Sequence, residues 1–389
     1  MTFELEKIVN RKNTYSVKWD ETTTFFGRDD VLPMWVADMD FQAPPSVTES
    51  IRKRMEHGIY GYTSIPSSTS LSVVNWLERQ HNWSIKEEWL TYISGVVPAL
   101  SLAVQTFTNV GDKVITFSPV YYPFFDMIQL NDRELVTSSL VLKNGRYEFD
   151  FNDFESKLDG TVKMLFLCNP HNPGGSVWSK EELTQIGELC LKHNVMVVSD
   201  EIHGDLAMHG NNYTPFASIH PHFSRNCITC IAPTKTFNIA GLQAAVMVIE
   251  NETLKEEVEL FQKKNGHFTL NTFGIIGMEA AYNSGDEWLE EVKKIIKSNI
   301  HEATSFIEKE IGGKVNVCPL ESTYLLWIDC RKLELDESEL KSRLLHKGKL
   351  ALEMGEKFGP EGKGFVRMNI ACPRETLLDG LQRFKLALS

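Results

Sequence analysis

The sequence predicts an α/β protein: a mostly parallel sheet covered by helices, followed by a smaller α+β domain. Three observations lead there. Short, nearly continuous apolar runs recur at 113–117, 163–167, 195–199, 228–231 and 244–249, and helical stretches such as 179–193 separate several of them. Strands apolar on both faces belong in a sheet covered on both sides. The 389 residues exceed one ordinary core and suggest roughly two domains. Beyond Gly285 the pattern changes to long charged helices with isolated strands.

Taken in order, residues 1–45 read as an irregular N-terminal arm that packs with the small domain. The arm contains Leu32-Pro33-Met34-Trp35-Val36-Ala37-Asp38-Met39-Asp40-Phe41, a mixture of large apolar groups and acids. Pro44-Pro45 closes it, and Ser46 with Glu49 has the spacing of a capping box at a helix start. The large domain then spans 46–285. Gly58-Ile59-Tyr60-Gly61-Tyr62 is a turn or loop before a helix over about 68–80. Thr91-Tyr92-Ile93-Ser94-Gly95 is a short strand running into a glycine, and Pro98 suits the first turn of the next helix. Asn144-Gly145 between 140–143 and 146–149 marks a hairpin. The small domain, 286–389, reads as a helix over 287–311, a strand at 324–329, a helix at 337–347, a strand at 364–370 and a last helix to about Leu388.

Composition excludes several functions. A net charge of −12 is the wrong sign for a nucleic-acid partner. The longest apolar-looking run, 95–107, is broken by Ser101 and Gln105 and falls short of the ~20 residues a membrane span needs. The first residues carry acids where a signal peptide would be apolar, so a cytoplasmic location is expected. Seven cysteines, an odd number scattered through strand-like runs, suit a reducing compartment. Cys227 and Cys230 form a lone C-x-x-C, read as core packing, and no metal is expected.

The chemistry centres on Ala232-Pro233-Thr234-Lys235-Thr236-Phe237-Asn238-Ile239-Ala240-Gly241-Leu242-Gln243. Lys235 follows the apolar run 227–231. An ammonium is costly to bury, so this lysine either points to water at a strand edge or has a use. Desolvation lowers a lysine pKa, and an aldehyde cofactor can then take it as a Schiff base. Other strand ends carry suggestive residues, and ligands bind at the carboxyl ends of parallel strands. Ser94-Gly95-Val96-Val97 could offer N–H groups to a phosphate, or be an ordinary turn into a helix. Tyr121 could stack on a flat ring, or pack in the core. Asn172 could donate its amide to a phenolate, in a loop otherwise made of turn formers. Asp200 could hold a protonated pyridine nitrogen, or cap a helix.

In that order and together, these motifs resemble fold-type I pyridoxal phosphate (PLP)-dependent enzymes of the class I/II aminotransferase superfamily. Leu32 to Phe41, Asp200-Glu201-Ile202-His203 and the Lys235 stretch resemble the MalY/PatB-type cystathionine (cysteine-S-conjugate) β-lyases. The resemblance implies the aspartate aminotransferase fold with a seven-stranded sheet, and pyridoxal 5′-phosphate as cofactor. It implies Lys235 as Schiff-base lysine and proton carrier, Asp200 on the pyridine nitrogen, Asn172 on the phenolic oxygen and Tyr121 against the ring. Val96, Val97 and Thr234 would hold the phosphate. Arg367 would fork onto the substrate α-carboxylate, with Val36, Ala37 and Asn172 beside it and Trp35, Tyr121 and Tyr324 as candidate pocket walls. Tyr62 would reach the cofactor phosphate and the substrate from the other subunit of a homodimer. Two positions depart from the broad aminotransferase pattern: His203 replaces a tyrosine near the phenolate, and Gln243 replaces a phosphate-binding arginine. The implied reaction is α,β-elimination of an amino acid, with transamination on the same residues as the alternative and a non-enzymatic regulator as a distant one.

Overall fold

The computed structural model describes residues 3–267 and 269–389. Among these, seven strands form the central sheet: β1 (Leu90–Ile93), β2 (Lys113–Ser118), β3 (Glu134–Ser139), β4 (Val162–Cys168), β5 (Met196–Asp200), β6 (Cys227–Ile231) and β7 (Ala245–Val248). Their order is β1-β7-β6-β5-β4-β2-β3. The pairs from β6 through β3 are parallel, whereas β7 runs antiparallel to both β6 and β1. Two successive reversals return β1 to the common direction. The C-terminal ends of β1, β2, β4, β5 and β6 therefore open on one edge.

Alternation along the strands explains the two covered faces. Phe166, Val198, Ile228 and Met247 pack with the helix Val96–Phe107 and with Val258 of the helix Glu252–Lys264. Leu165, Leu167, Val197 and Cys227 pack on the other face with Leu183 and Ile186 of the helix Lys180–Lys192. That helix starts in a capping box made by Ser179 and Glu182. Cys227 and Cys230 are both buried free thiols inside β6. The Asn144-Gly145 turn joins Val141–Lys143 to Arg146–Glu148 with both residues at positive φ, as a two-residue hairpin of this sequence requires.

The capping box expected at Ser46 is not formed. Pro44-Pro45 starts the helix Pro45–His57 one residue earlier, with Pro44 as cap and no side-chain cap bond among the described residues. Ser46 is thus already inside the helix, and its Oγ has no partner there. The edge strand β3 has no counterpart among the expected apolar runs. The arm is also less irregular than its sequence suggests, because it holds two short helices, Val17–Asp20 and Thr22–Phe26.

A second sheet, among the described residues, contains β8 (Asn316–Val317), β9 (Leu325–Asp329), β10 (Glu353–Met354) and β11 (Phe365–Asn369) in the antiparallel order β8-β9-β11-β10. The helix Asp286–Glu310 serves two cores. Trp288, Leu289 and Val292 pack with Leu90 and Val246, while Ala303 and Ile307 pack with Leu326, Met368 and Leu381. The N-terminal arm is divided likewise. Leu32–Pro33 pairs in parallel with Leu350–Ala351 and Met34 joins the core around β9 and β11, whereas Met39 and Phe41 join the core around β1 and β7.

Buried charges fix the arm. Lys18, only 1% exposed, donates to Asp40 at 2.6 Å. Arg11 reaches Asp38 at 2.6 Å and Asp40 at 2.7 Å, and the Trp19 indole donates to Asp40 at 2.9 Å. Removing one partner of such a cluster strands the others in low dielectric. Asp40→Ala should therefore lower stability by about 3–5 kcal/mol, read as a shifted urea midpoint. A change below about 1 kcal/mol would show that the cluster is solvated.

Candidate active site

The shared edge of the sheet opens on a cavity of about 220 Å³. Its walls include Ser94 to Pro98 after β1, Tyr121 after β2, Cys168 and Asn172 at the end of β4, Asp200, Ile202 and His203 at the end of β5, and Thr234 and Lys235 after β6. Ala37 from the N-terminal arm closes one side. A larger groove of about 730 Å³ lies at Lys86, Arg225, Glu250 and Lys255, but it gathers none of these residues.

Each wall is built by local sequence. Pro233 opens a one-turn helix, Pro233–Thr236, so the chain leaves β6 in a tight bend that turns Lys235 into the cavity. At the helix Val96–Phe107, no side chain among the described residues caps the start and no acid occupies the first turn. Pro98 has no N–H, so the donors of that first turn are those of Val96 and Val97. Asn238, at φ 56°, grips the arm: its amide donates to the Met39 and Phe41 carbonyls at 2.9 and 2.7 Å, and its oxygen accepts from Met39 N.

The titratable groups here are perturbed by enclosure. Lys235 shows part of its surface to the cavity and is otherwise surrounded by protein; burial lowers its pKa to about 8. The nearby Arg367 adds to that effect, while Asp38 and Asp200 oppose it. Its Nζ donates to the Ala37 carbonyl, which also accepts from the Tyr324 hydroxyl at 3.0 Å. Burial raises Asp200 to about 7, against one backbone donor, Ile202 N at 3.1 Å. Burial lowers His203 to about 3, so its ring is neutral, and Nδ1 has no partner among the described residues. Arg367 is 3% exposed, and burial lowers its pKa too. It donates to Asn172 Oδ1 at 3.0 Å and to the Trp35 carbonyl at 3.1 Å, and among the described residues its Nε is unpartnered.

Most of the expected site residues thus meet at one cavity. Arg367, on β11, joins them through Asn172. Val36 contributes its carbonyl, which accepts from Asn369 at 2.6 Å, while its side chain packs outside the cavity with Trp35. Trp35 is not a pocket wall. Its ring lies 4.7 Å from Phe25 and 5.2 Å from Phe26, and its indole donates to the Lys18 carbonyl. Tyr62 is fully exposed and does not line this cavity. Gln243 is exposed at φ 52° and does not line it either. Sequence reasoning missed Asn238 and Asn369, two amides that fasten the arm across the site; Arg367-Met368-Asn369 was read only for its arginine.

The residues present fit pyridoxal phosphate. A buried carboxylate that forms no ion pair among the described residues suits a protonated ring nitrogen. Uncapped N–H groups suit a phosphate. A lysine with a depressed pKa suits an aldehyde. Comparison with known proteins agrees. Residues 29–384 match the aminotransferase class I and II family, and the chain belongs to it. It is 46% identical over 385 residues to cystathionine β-lyase PatB of Bacillus subtilis, covering 99% of each chain. Among solved structures, it is similar to cystalysin from Treponema denticola, which contains pyridoxal 5′-phosphate (TM-score 0.97, 36% identity, 100% of this chain and 99% of the other). It is also similar to the PLP-bound C–S lyase from Staphylococcus hominis (TM-score 0.94, 32% identity, 100% and 98%). Among the described residues no helix is long and apolar enough to cross a membrane.

Burial of Lys235 has a pH signature. The unfolded chain keeps this proton to about 10.4, whereas the folded cavity releases it near 8. Its enclosure therefore costs stability below pH 8, a cost relieved as pH rises from 8 towards 10.4. In cofactor-free protein, amine labelling at Lys235, followed by peptide mass spectrometry, should rise with a midpoint near pH 8. A midpoint above 10 would mean a solvated ammonium.

Proposed function

We propose that the protein is a PLP-dependent carbon–sulfur β-lyase. It acts on L-cystathionine or a related cysteine S-conjugate and releases a thiol, pyruvate and ammonia; from cystathionine the thiol is homocysteine. The observation that carries this reading is Lys235, with its pKa depressed to about 8, facing one cavity with Asp200 in a chain 46% identical to a cystathionine β-lyase.

Each residue has a task in this reading. Arg367 forks onto the substrate α-carboxylate, using the geometry that lysine lacks. That hold fixes the direction of the Cα–H bond. Lys235, near neutrality in its pKa, takes the Cα proton as general base. Asp200 stays ionised against the ring nitrogen. Asn172 and the neutral His203 are the polar neighbours for the phenolic oxygen, and Tyr121 lies against the ring. Val96, Val97 and Thr234 hold the phosphate. Bound there, pyridoxal phosphate supplies an aldehyde for the substrate amine and an electron-poor ring that accepts the electron pair left at Cα. The Cβ–S bond then breaks with its electrons on sulfur, and the released aminoacrylate takes up water to give pyruvate and ammonia.

The domain reading belongs with this proposal: an arm over 1–45, a cofactor-binding domain over 46–285 and a small domain over 286–389. So does a cytoplasmic homodimer in which Tyr62 serves the neighbouring site. Tyr62 is fully exposed beside Ile59 and Tyr60, 68% and 56% exposed, which supports a covered face in the dimer. Seven free thiols support a reducing compartment.

With cystathionine, the enzyme should yield equal amounts of thiol and pyruvate with no added keto acid. Stalling until a keto acid is supplied would instead identify a transaminase. Lys235→Ala should abolish turnover and remove the visible absorption of the bound cofactor. Arg367→Lys should raise KM by about 10–100-fold, the loss of one charge-assisted hydrogen bond.

A further inference from the structure

Arg367 raises a problem that its neighbours answer. A guanidinium meant for an incoming carboxylate must not already hold one. Yet Glu353 is its cross-strand partner on β10, and such partners have Cβ atoms about 4.5–5.5 Å apart. Glu353 is 7% exposed and within electrostatic reach of Arg367. Among the described residues, however, Arg367 forms no ion pair; it donates only to neutral oxygens of Asn172 and Trp35. Glu353 is instead engaged by Lys357, whose Nζ donates to both carboxylate oxygens at 3.0 Å.

Lys357 is itself held in place. Its Nζ lies 4.1 Å from the centroid of the Tyr122 ring. Tyr122 meets Phe358 edge-on at 6.2 Å, and the Arg367 guanidinium carbon lies 4.8 Å above the Phe358 ring. Tyr122 and Phe358 thus form an edge-on pair of rings that carries one cation on each, and the Glu353 carboxylate is bonded to the lysine.

We propose that Lys357 is a positioning residue: it holds Glu353 away from Arg367 and so keeps the guanidinium open for the substrate carboxylate. The inference rests on the reading of Arg367 as the carboxylate clamp. Without Lys357, Glu353 turns onto Arg367, and substrate must displace it. Once substrate is bound the reacting groups are unchanged, so the defect belongs to KM and not to kcat.

The test uses the PLP-loaded enzyme with cystathionine. Lys357→Met should raise KM about tenfold or more, the strength of one competing charge-assisted bond, with kcat within about twofold of the parent. Lys357→Arg should keep the parental KM. The double variant Lys357→Met/Glu353→Gln has no carboxylate to compete and should recover most of the loss. The Lys357 side chain is 36% exposed, so its removal leaves the core intact, and an unchanged thermal midpoint verifies this. Arg367→Lys separates the two readings. If it raises KM while Lys357→Met does not, the clamp stands and the guard is refuted. If the double variant keeps the full defect of Lys357→Met, the loss does not pass through Glu353 and the proposal is overturned. If Arg367→Lys leaves KM unchanged, the clamp fails and the guard with it.

Discussion

Three charged side chains face one another across the cavity region without the partners that enclosed charges normally require. Among the described residues, Asp200 has a single backbone donor, Lys235 a single carbonyl, and Arg367 two neutral oxygens. Leaving an enclosed ion short of a counter-charge costs several kcal/mol. The fold tolerates this only because the rest of the molecule is over-determined: a seven-stranded sheet packed on both faces, and two cores tied by the helix Asp286–Glu310. The shifts at Asp200, Lys235 and His203 share one leading cause, desolvation. Each would be relieved by a ligand that brings the missing charge or hydrogen bond.

The segment from Trp35 to Phe41 is the common acceptor at this site. Arg367 donates to the Trp35 carbonyl, Asn369 to those of Val36 and Asp38, Lys235 and Tyr324 to that of Ala37, and Asn238 to those of Met39 and Phe41. Donors from β11 and from the Lys235 loop thus converge on one short run of backbone. Consecutive carbonyls can all be used because the run is neither helix nor sheet, so its own ladder does not consume them. The Arg11–Lys18–Asp38–Asp40 cluster then holds the far side of the run. The arm is therefore part of the site's construction, and its mixture of acids and large apolar groups has a reason: acids for the cluster, Trp35, Met39 and Phe41 for the cores.

Legibility from sequence divided along physical lines. The ends of β1, β2, β4, β5 and β6 were readable because each buried strand stops at a residue costly or odd in a core, and a parallel sheet sends those ends to one edge. The edge strand β3 was not readable. Glu134-Leu135-Val136-Thr137-Ser138-Ser139 lies at the sheet edge, is mostly only partly buried, and lacks a continuous apolar run. Trp35 was misplaced because an irregular segment has no period from which to infer the direction of a side chain. Ser46 misled because its capping spacing is real but two preceding prolines set the helix start earlier. Asn238 and Asn369 act through backbone acceptors nearly 200 and over 300 residues away, and no local pattern carries that information.

The departures at Gln243 and His203 bear on how the proposed cofactor is retained. Gln243 is exposed and away from the cavity, so no side-chain cation from that position reaches the phosphate end. What remains there is the neutral Thr234 hydroxyl and the uncapped start of the helix Val96–Phe107, equivalent to about half a positive charge, with Pro98 removing one of its donors. A neutral His203 adds no charge at the phenolate side. On the proposed reading, retention therefore shifts from the phosphate to the ring: the ionised Asp200 on the nitrogen and the covalent link at Lys235 carry more of it. An incoming amino acid would have to displace Lys235 from that link. Because the anchor that substrate replaces is a larger share of the whole, the carboxylate clamp at Arg367 must compensate by holding the incoming amino acid firmly, which makes an open, unquenched guanidinium a requirement of retention as well as of recognition.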